Sequence, residues 1–359
     1  MKKLLTLALT AIFVLSTAAC GGPAAPAAPA PVAPAPAQDA PADAPAQEDG
    51  AAADPFADAP SFRLMLAENQ PYHNPISQGM MMFSELVYEK TNGTVYVDVF
   101  LDGQLGTEDD TVVQLRAGTL DMSRVNVAAI TPVADAMGVF MLPFIFADDD
   151  HKYRVLDGPI GQELGAHLEE YGLVFLEYWE AGSRNFYTSN TPIRSVADMQ
   201  GMMVRVQPVE VALRMVEALG AAAVPIPFPD VYTALQTGVV DGAENDFVSY
   251  YTAGHFEVAR YFSLTGHMSP PAMVVMSAQT WNQLIPAQQE AVRAAAREAV
   301  LWQRQAMMDF QLESRDRVVA AGTEIIEVDV REFQEAMAEV YALYPQHADR
   351  IDAILALVN

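Results

Sequence analysis

The chain has 359 residues, of which 51% are hydrophobic and 18% are charged. A chain of this length buries a large core and favours two lobes over one. Its formal net charge of −26 argues against nucleic acid as a partner, because phosphate binding needs a basic surface. A small anion remains compatible with this charge if its site is locally positive. The single cysteine, Cys20, excludes a disulfide framework and a cysteine-ligated metal site, and we expect no metal and no cofactor.

The N-terminus has the pattern of an export signal. Lys2 and Lys3 precede an apolar run over residues 4–15, which is too short for a comfortable membrane span. Small residues then lead to Cys20, as in the bacterial lipobox, with Thr17 at the position where leucine is usual. We therefore expect residues 1–20 to be a lipoprotein signal peptide that leaves Cys20 lipidated. A plain signal peptide, cut just before the cysteine, is the alternative.

Residues 21–60 are almost entirely Ala, Pro, Gly and acidic residues. Nothing in this composition buries a core, so we predict a disordered acidic linker that holds the folded part near a membrane.

The next segments alternate between strand and helix patterns. Strands are predicted at 62–67, 95–99 and 121–126, and helices from Pro75 and over 108–117. This order implies a parallel α/β sheet, in which ligands bind at the carboxyl ends of the strands. Tyr72 and His73 follow the first strand, and Arg124 and Asn126 lie near the end of the third, so all four are candidates for a cleft.

Three adjacent acids, at positions 148–150, are open to two interpretations. They could suggest a metal site, but no EF-hand spacing follows them, so the start of a helix is favoured.

The second half contains shorter elements. A strand over 173–178 leads to Arg184, and Arg205 lies on a short strand on the face opposite to Val204 and Val206. Further elements are predicted as follows: helices over 209–219 and 230–236, a brief strand at 239–241 before Asn245, one or two long helices over 277–319 with a break at Pro286, a strand over 323–328 and a helix over 331–343.

Pattern alone assigns no function to these polar residues. Arg205 and Arg184 would be solvated arginines by default, and Asn245 could complete a turn. The chain lacks a G-x-S-x-G elbow, an H-E-x-x-H pair and a P-loop, which argues against a lipid-anchored hydrolase.

A family resemblance changes this interpretation. The motifs that carry it run in order along most of the chain: Gly103 to Gly106, Leu142 to Phe144, Gly182 to Arg184, Pro192-Ile193, Asp198 to Gly201, Val204 to Val206, Glu217 to Ala221, and Val231 to Asn245. From residue 61 onward the chain resembles the extracytoplasmic solute-binding proteins of TRAP transporters, the DctP family.

The resemblance implies a fold and a cellular role. The fold would be a two-lobed α/β fold like that of periplasmic binding proteins, with a hinge, crossing strands and a long helix linking the lobes. Lobe I would comprise residues 61–182 plus about 271–310, and lobe II residues 183–270 plus about 311–359. The protein would not be an enzyme. It would work outside the cytoplasmic membrane, held there by its lipid anchor, and pass a small organic acid to the membrane subunits of a TRAP permease.

The same resemblance implies site residues. Arg205 would form a bidentate salt bridge with the ligand carboxylate, a match of planar groups, and Arg184 and Asn245 would make further contacts. Arg124, Asn126 and Gln207 would contact hydroxyl groups. His73 would also contact the ligand, with packing of its ring against the lobe as the alternative. Such polar groups favour a sugar acid such as a uronate. A C4-dicarboxylate remains an alternative, as does a role as solute sensor for a signalling receptor.

Overall fold

The computed structural model describes residues 54–358, so the predicted signal peptide, Cys20 and most of the predicted linker lie outside it. The last linker residues fall inside this range and contact the folded part. Asp54 accepts a hydrogen bond from the side chain of Asn92 at 3.0 Å, and the Pro60 carbonyl accepts one from Gln288 at 2.8 Å.

Residues 54–358 form strands and helices that alternate along much of the chain. The strands are β1 (Phe62–Ala67), β2 (Val95–Phe100), β3 (Met122–Asn126), β4 (Leu173–Trp179), β5 (Arg184–Thr188), β6 (Met203–Val206), β7 (Ala222–Pro225), β8 (Gly242–Asn245), β9 (Tyr261–Met268), β10 (Ala272–Ser277) and β11 (Glu324–Glu327). The helices are α1 (Pro75–Lys90), α2 (Glu108–Ala117), α3 (Val127–Ile130), α4 (Asp149–Leu156), α5 (Pro159–His167), α6 (Glu210–Ala218), α7 (Val231–Gln236), α8 (Phe247–Thr252), α9 (Ala278–Trp281), α10 (Pro286–Ala320), α11 (Val330–Ala336), α12 (Ala338–Ala342) and α13 (Ala348–Leu355). None of these helices is both long enough and apolar enough to cross a membrane.

The first sheet has the strand order β2-β1-β3-β10-β4. β1 pairs in parallel with β2 and β3, which confirms the predicted β-α-β-α-β order. Local sequence sets the intervening helices. Asn74 caps α1 by accepting a hydrogen bond from the Ile76 amide, and Thr107 and Asp110 form a capping box at the start of α2. β10 returns from the second half of the chain and runs antiparallel to β3 and β4, so the sheet is mixed, which the sequence analysis did not predict.

The second sheet has the order β11-β9-β5-β8-β6-β7 and supports the second lobe. Here the predicted strand at 239–241 is wrong, because pairing begins at Gly242. The carbonyl oxygen of Tyr187 lies 2.5 Å from where a Cβ of residue 242 would stand, so β5 and β8 approach closely only around a glycine. Val239, by contrast, is exposed.

Two further predictions concern helices. The long helix indeed starts at Pro286, after the separate α9, and Asp148 caps α4 as the helix-start interpretation of the three acids requires. The single helix predicted over 331–343 is instead two helices. The Met337 amide bonds to Gln334 in a tighter turn, and this residue separates α11 from α12.

Three connections join the two lobes. The chain crosses between the sheets at residues 180–183, after β4, and at residues 269–271, after β9. The third connection is α10, whose 35 residues span about 50 Å and pack against α1 and β4 on one side and α8 on the other. The predicted residue limits of the lobes stay predictions.

A buried polar network ties these connections together. Lys152 of α4 donates to Glu180 at 2.8 Å and to Ser269 at 2.9 Å, and these acceptors lie on the two different crossings. Gln303 of α10 bonds the backbone N–H and C=O of Glu180 at 3.0 and 2.8 Å. A buried charge destabilises a fold when it is left unpaired, so the groups of this network must stay in contact. These contacts define the position of the two crossings relative to α10.

We expect Lys152→Met to lower the free energy of unfolding by about 3–5 kcal/mol, because it leaves the Glu180 carboxylate buried and unpaired. Lys90→Met is the matched control, since Lys90 pairs with Glu298 at the surface and its loss should cost less than about 1 kcal/mol. Urea unfolding followed by circular dichroism measures both. Equal effects of the two substitutions would contradict the assigned role of Lys152.

Candidate functional site

A cleft lies between the two lobes. Its walls come from the loops and helix starts that follow the strands of both sheets, as expected for α/β sheets. The polar and charged residues that line it are Asn69, Gln70, Thr107, Glu108, Asp109, Asn126, Arg184, Arg205, Gln207, Asn245 and Ser249.

Arg205 is the cleft residue whose charge is least satisfied by protein groups. Val204 and Val206 pack into the core, so strand alternation turns Arg205 to the cleft, where it is only 1% exposed. Its Nε donates to the Ile226 carbonyl at 2.8 Å, whereas its buried Nη1 has no hydrogen-bond partner within residues 54–358.

Burial lowers the pKa of Arg205 from 12.5 to about 10, although the charge of Glu244 acts in the opposite direction. That shift corresponds to a cost of about 3 kcal/mol for keeping the cation. An anion bound in the cleft would offset this cost, so the side chain is suited to hold a carboxylate.

Arg184 lies in the same cleft but is already paired. Its Nε and Nη2 form a fork with the carboxylate of Glu244, and Nη1 donates to Asn245 Oδ1 at 2.9 Å. Burial alone would raise the pKa of Glu244, but the charge and hydrogen bonds of Arg184, together with the neighbouring His267, lower it to about 2. Arg184 therefore stays charged and in place, and it orients Asn245.

Asn245 offers its amide nitrogen to the cleft. Its Oδ1 accepts from Arg184 and from the Asp246 backbone amide at 3.0 Å. The remaining polar group of the side chain is the Nδ2 donor, which suits a carboxylate or hydroxyl oxygen of a ligand.

The opposite wall carries an acidic group. Glu108, the first residue of α2, accepts hydrogen bonds from Arg124 and from the side chain of Asn126, both at 2.9 Å. Arg124 also forms a fork with Glu68 and contacts Asn69. Arg124 does not line the cleft, and its hydrogen bond to Glu108 keeps that side chain in position.

The structure brings most of the predicted site residues together. Arg205, Arg184, Asn245, Asn126 and Gln207 all line the cleft.

Two predicted contacts receive no support from this geometry. Arg124 has its side chain fully buried in ion pairs and does not line the cleft. His73 is exposed outside the cleft lining, where its ring packs edge-on against Tyr72 with centroids 5.7 Å apart. Direct ligand contacts of Arg124 and His73 stay predictions.

Sequence reasoning missed the acidic partners of the site. Glu244 accepts hydrogen bonds from Arg184, and Glu108 accepts them from Asn126. Neither acid was predicted to be a functional residue. A signal for Glu108 was present, because it opens the helix that follows a parallel strand, where ligands bind in such sheets.

Comparison with known proteins identifies the family of the chain. Residues 66–348 match the family model of bacterial extracellular solute-binding proteins, family 7 (DctP). The chain belongs to this family.

Relatives of the DctP family with names or solved structures include sugar-acid binders. The chain is 33% identical over 281 residues to the 2,3-diketo-L-gulonate-binding periplasmic protein YiaO of Escherichia coli, covering 76% of this chain and 85% of the relative. A TRAP periplasmic solute-binding protein of Xanthobacter autotrophicus, solved with β-D-galacturonate, is 37% identical with a TM-score of 0.80, covering 82% of this chain and 99% of that one. One of Roseobacter denitrificans, solved with β-D-glucuronate, is 38% identical with a TM-score of 0.79, covering 83% and 99%.

The Arg184–Glu244 pair predicts a pH effect on stability. Because the pKa of Glu244 is about 2 in the folded chain against 4.5 for the free group, its contribution is present above about pH 4.5 and is lost as the pH falls toward 2. Glu244→Gln should therefore destabilise the protein by about 3 kcal/mol at neutral pH and by much less near pH 2. Chemical unfolding at several pH values tests this. A wild-type to variant difference that stays constant between pH 7 and pH 2 would contradict it.

Proposed function

We propose that the protein captures a sugar acid, with a uronate as the favoured ligand, and delivers it without chemical change to the membrane subunits of a TRAP permease. The observation that supports this most directly is the buried Nη1 of Arg205, a residue that lines the cleft, because this atom has no hydrogen-bond partner within residues 54–358. A carboxylate supplies two parallel acceptors to a guanidinium, so it matches this group in charge and shape.

The surroundings of Arg205 support a ligand rich in hydroxyl groups. Asn126, Gln207 and Asn245 place amide groups on the cleft, and amides both donate to and accept from hydroxyls. Relatives that are 37% and 38% identical over most of the chain were solved with galacturonate and glucuronate, which supports the same ligand class here.

The proposed location is outside the cytoplasmic membrane, with the lipidated Cys20 as anchor. Membership of an extracellular solute-binding family supports the location. The anchor rests on the sequence pattern before Cys20, which lies outside the described residues. A tethered binding protein of this kind would stay close to its permease while its linker lets it reach the transporter.

A ligand screen tests the proposed class. A ligand that binds only the native state raises its stability, by about 2.7 kcal/mol at one hundred times its dissociation constant. We expect D-galacturonate or D-glucuronate to raise the melting temperature more than aldonates and C4-dicarboxylates do. A response to a C4-dicarboxylate alone would favour the alternative ligand, and no response to any carboxylate would overturn the proposal.

We expect Arg205→Ala to abolish binding of the responding acid while the unliganded fold persists, because this cation forms no ion pair within residues 54–358. Arg194→Ala is the matched control, since Arg194 is an exposed arginine that pairs with Glu324 outside the cleft. Isothermal titration calorimetry measures the affinities and circular dichroism checks the fold. Unchanged affinity in folded Arg205→Ala would refute the assigned role.

A further inference from the structure

The two walls of the cleft carry unequal charge. The wall of the second lobe presents Arg205, whose cation lacks an anionic partner, and Arg184, which Glu244 already neutralises. The wall of the first lobe presents Glu108 and Asp109, at the start of α2. A ligand that reaches both walls thus meets a free cation at one end and carboxylates at the other.

Glu108 retains capacity to accept a hydrogen bond. Its Oε1 receives three donors, namely Arg124 Nη1 at 2.9 Å, Asn126 Nδ2 at 2.9 Å and the Asn126 amide at 3.1 Å. Its Oε2 receives only Asn126 Nδ2, at 3.1 Å. Because a carboxylate oxygen accepts about two hydrogen bonds, Oε2 has room for one donor from a ligand. The side chain is 15% exposed and lines the cleft, so that donor arrives from the cleft.

The charge of Glu108 is incompletely neutralised by the protein. Arg124 is the guanidinium beside it, and the same group also binds Glu68 in a fork. With all three groups ionised, the two carboxylates and one guanidinium sum to a formal charge of −1, although burial raises the pKa of Glu68. Asp109 adds a further acid to the same wall. A hydroxyl donor is favoured at this end, whereas a second carboxylate would meet like charge.

We propose that Glu108, with Asp109 beside it, is a specificity determinant that accepts a ligand hydroxyl and rejects a second carboxylate. The cleft then selects polyhydroxy monocarboxylates, such as uronates, over aldarates and C4-dicarboxylates. This inference rests on the proposed function, because it takes the ligand carboxylate to bind at Arg205.

Matched pairs of acids test this selectivity. D-galacturonate and galactarate share their configuration at C2 to C5, but galactarate is an open chain with a second carboxylate in place of the anomeric carbon of the uronate ring. D-glucuronate and glucarate form an equivalent pair, and the change of the ratio in the variants below separates the effect of charge from that of ring opening. Calorimetry on the full chain at neutral pH should give at least about 100-fold tighter binding of the uronate, a difference of the size that a like-charge contact produces.

The Glu108→Gln variant should lower that uronate-to-aldarate ratio by at least about tenfold, because the amide keeps its shape but loses the charge. Glu85→Gln, which removes the same charge from an exposed position on α1 outside the cleft, should leave the ratio unchanged. Asp109 does not belong to the Arg124 cluster. The Asp109→Asn variant therefore serves as a second test if loss of the Glu108 charge impairs folding. It should lower the ratio by at least about threefold.

The outcomes separate this inference from the proposed function. A wild-type protein that binds no uronate would overturn both. A wild-type protein that binds the uronate, but binds the aldarate equally well, would overturn only the inference. So would a ratio that stays at the wild-type value in folded Glu108→Gln and Asp109→Asn.

Discussion

The desolvated guanidinium of Arg205 is the constraint on which the site depends. Its Nε donates to the Ile226 carbonyl, its buried Nη1 has no hydrogen-bond partner among residues 54–358, and burial lowers its pKa. A buried, unpaired charge destabilises the unliganded protein, and an anionic ligand that pairs with it removes this destabilisation. The neighbouring Arg184 differs, because it forms an ion pair with the carboxylate of Glu244. Because Arg184 is paired and Arg205 is not, the described part of the cleft has one unpaired arginine to receive one carboxylate.

Neither lobe forms the cleft alone, so the connections between the lobes decide its geometry. Arg205 and Asn245 come from the second sheet, whereas Glu108 and Asn126 come from the first lobe. The Lys152, Glu180 and Gln303 network bonds the two crossings to each other and to α10. Movement of one lobe against the other, as in hinge closure around a ligand, must bend the chain near these bonds. The strength of these hydrogen bonds therefore affects how closely the two walls of the cleft approach each other.

Local patterns were enough to predict much of the fold, whereas the site residues followed from the family resemblance. Helix patterns from Pro75 and over 108–117 predicted α1 and α2, and the alternation of Val204, Arg205 and Val206 gave the direction of the Arg205 side chain. Features that depend on distant pairings were not predictable in this way. Arg124 is held by Glu68, 56 positions earlier in the chain, through the pairing of β1 with β3. The antiparallel entry of β10 likewise depends on a partner more than 100 residues away. Neither the pairing of β1 with β3 nor that of β10 with β3 can be read from a single sequence.

The central claim is that the cleft recognises a carboxylate through the charge of Arg205, and the ligand itself provides the most direct test. The methyl ester of D-galacturonate keeps the ring hydroxyls and removes the negative charge. Calorimetry with the wild-type protein should show the ester binding at least about 100-fold more weakly than the acid, a loss of about 2.7 kcal/mol that is typical for a hydrogen bond to a charged group. Equal affinities of the acid and its ester would contradict the account.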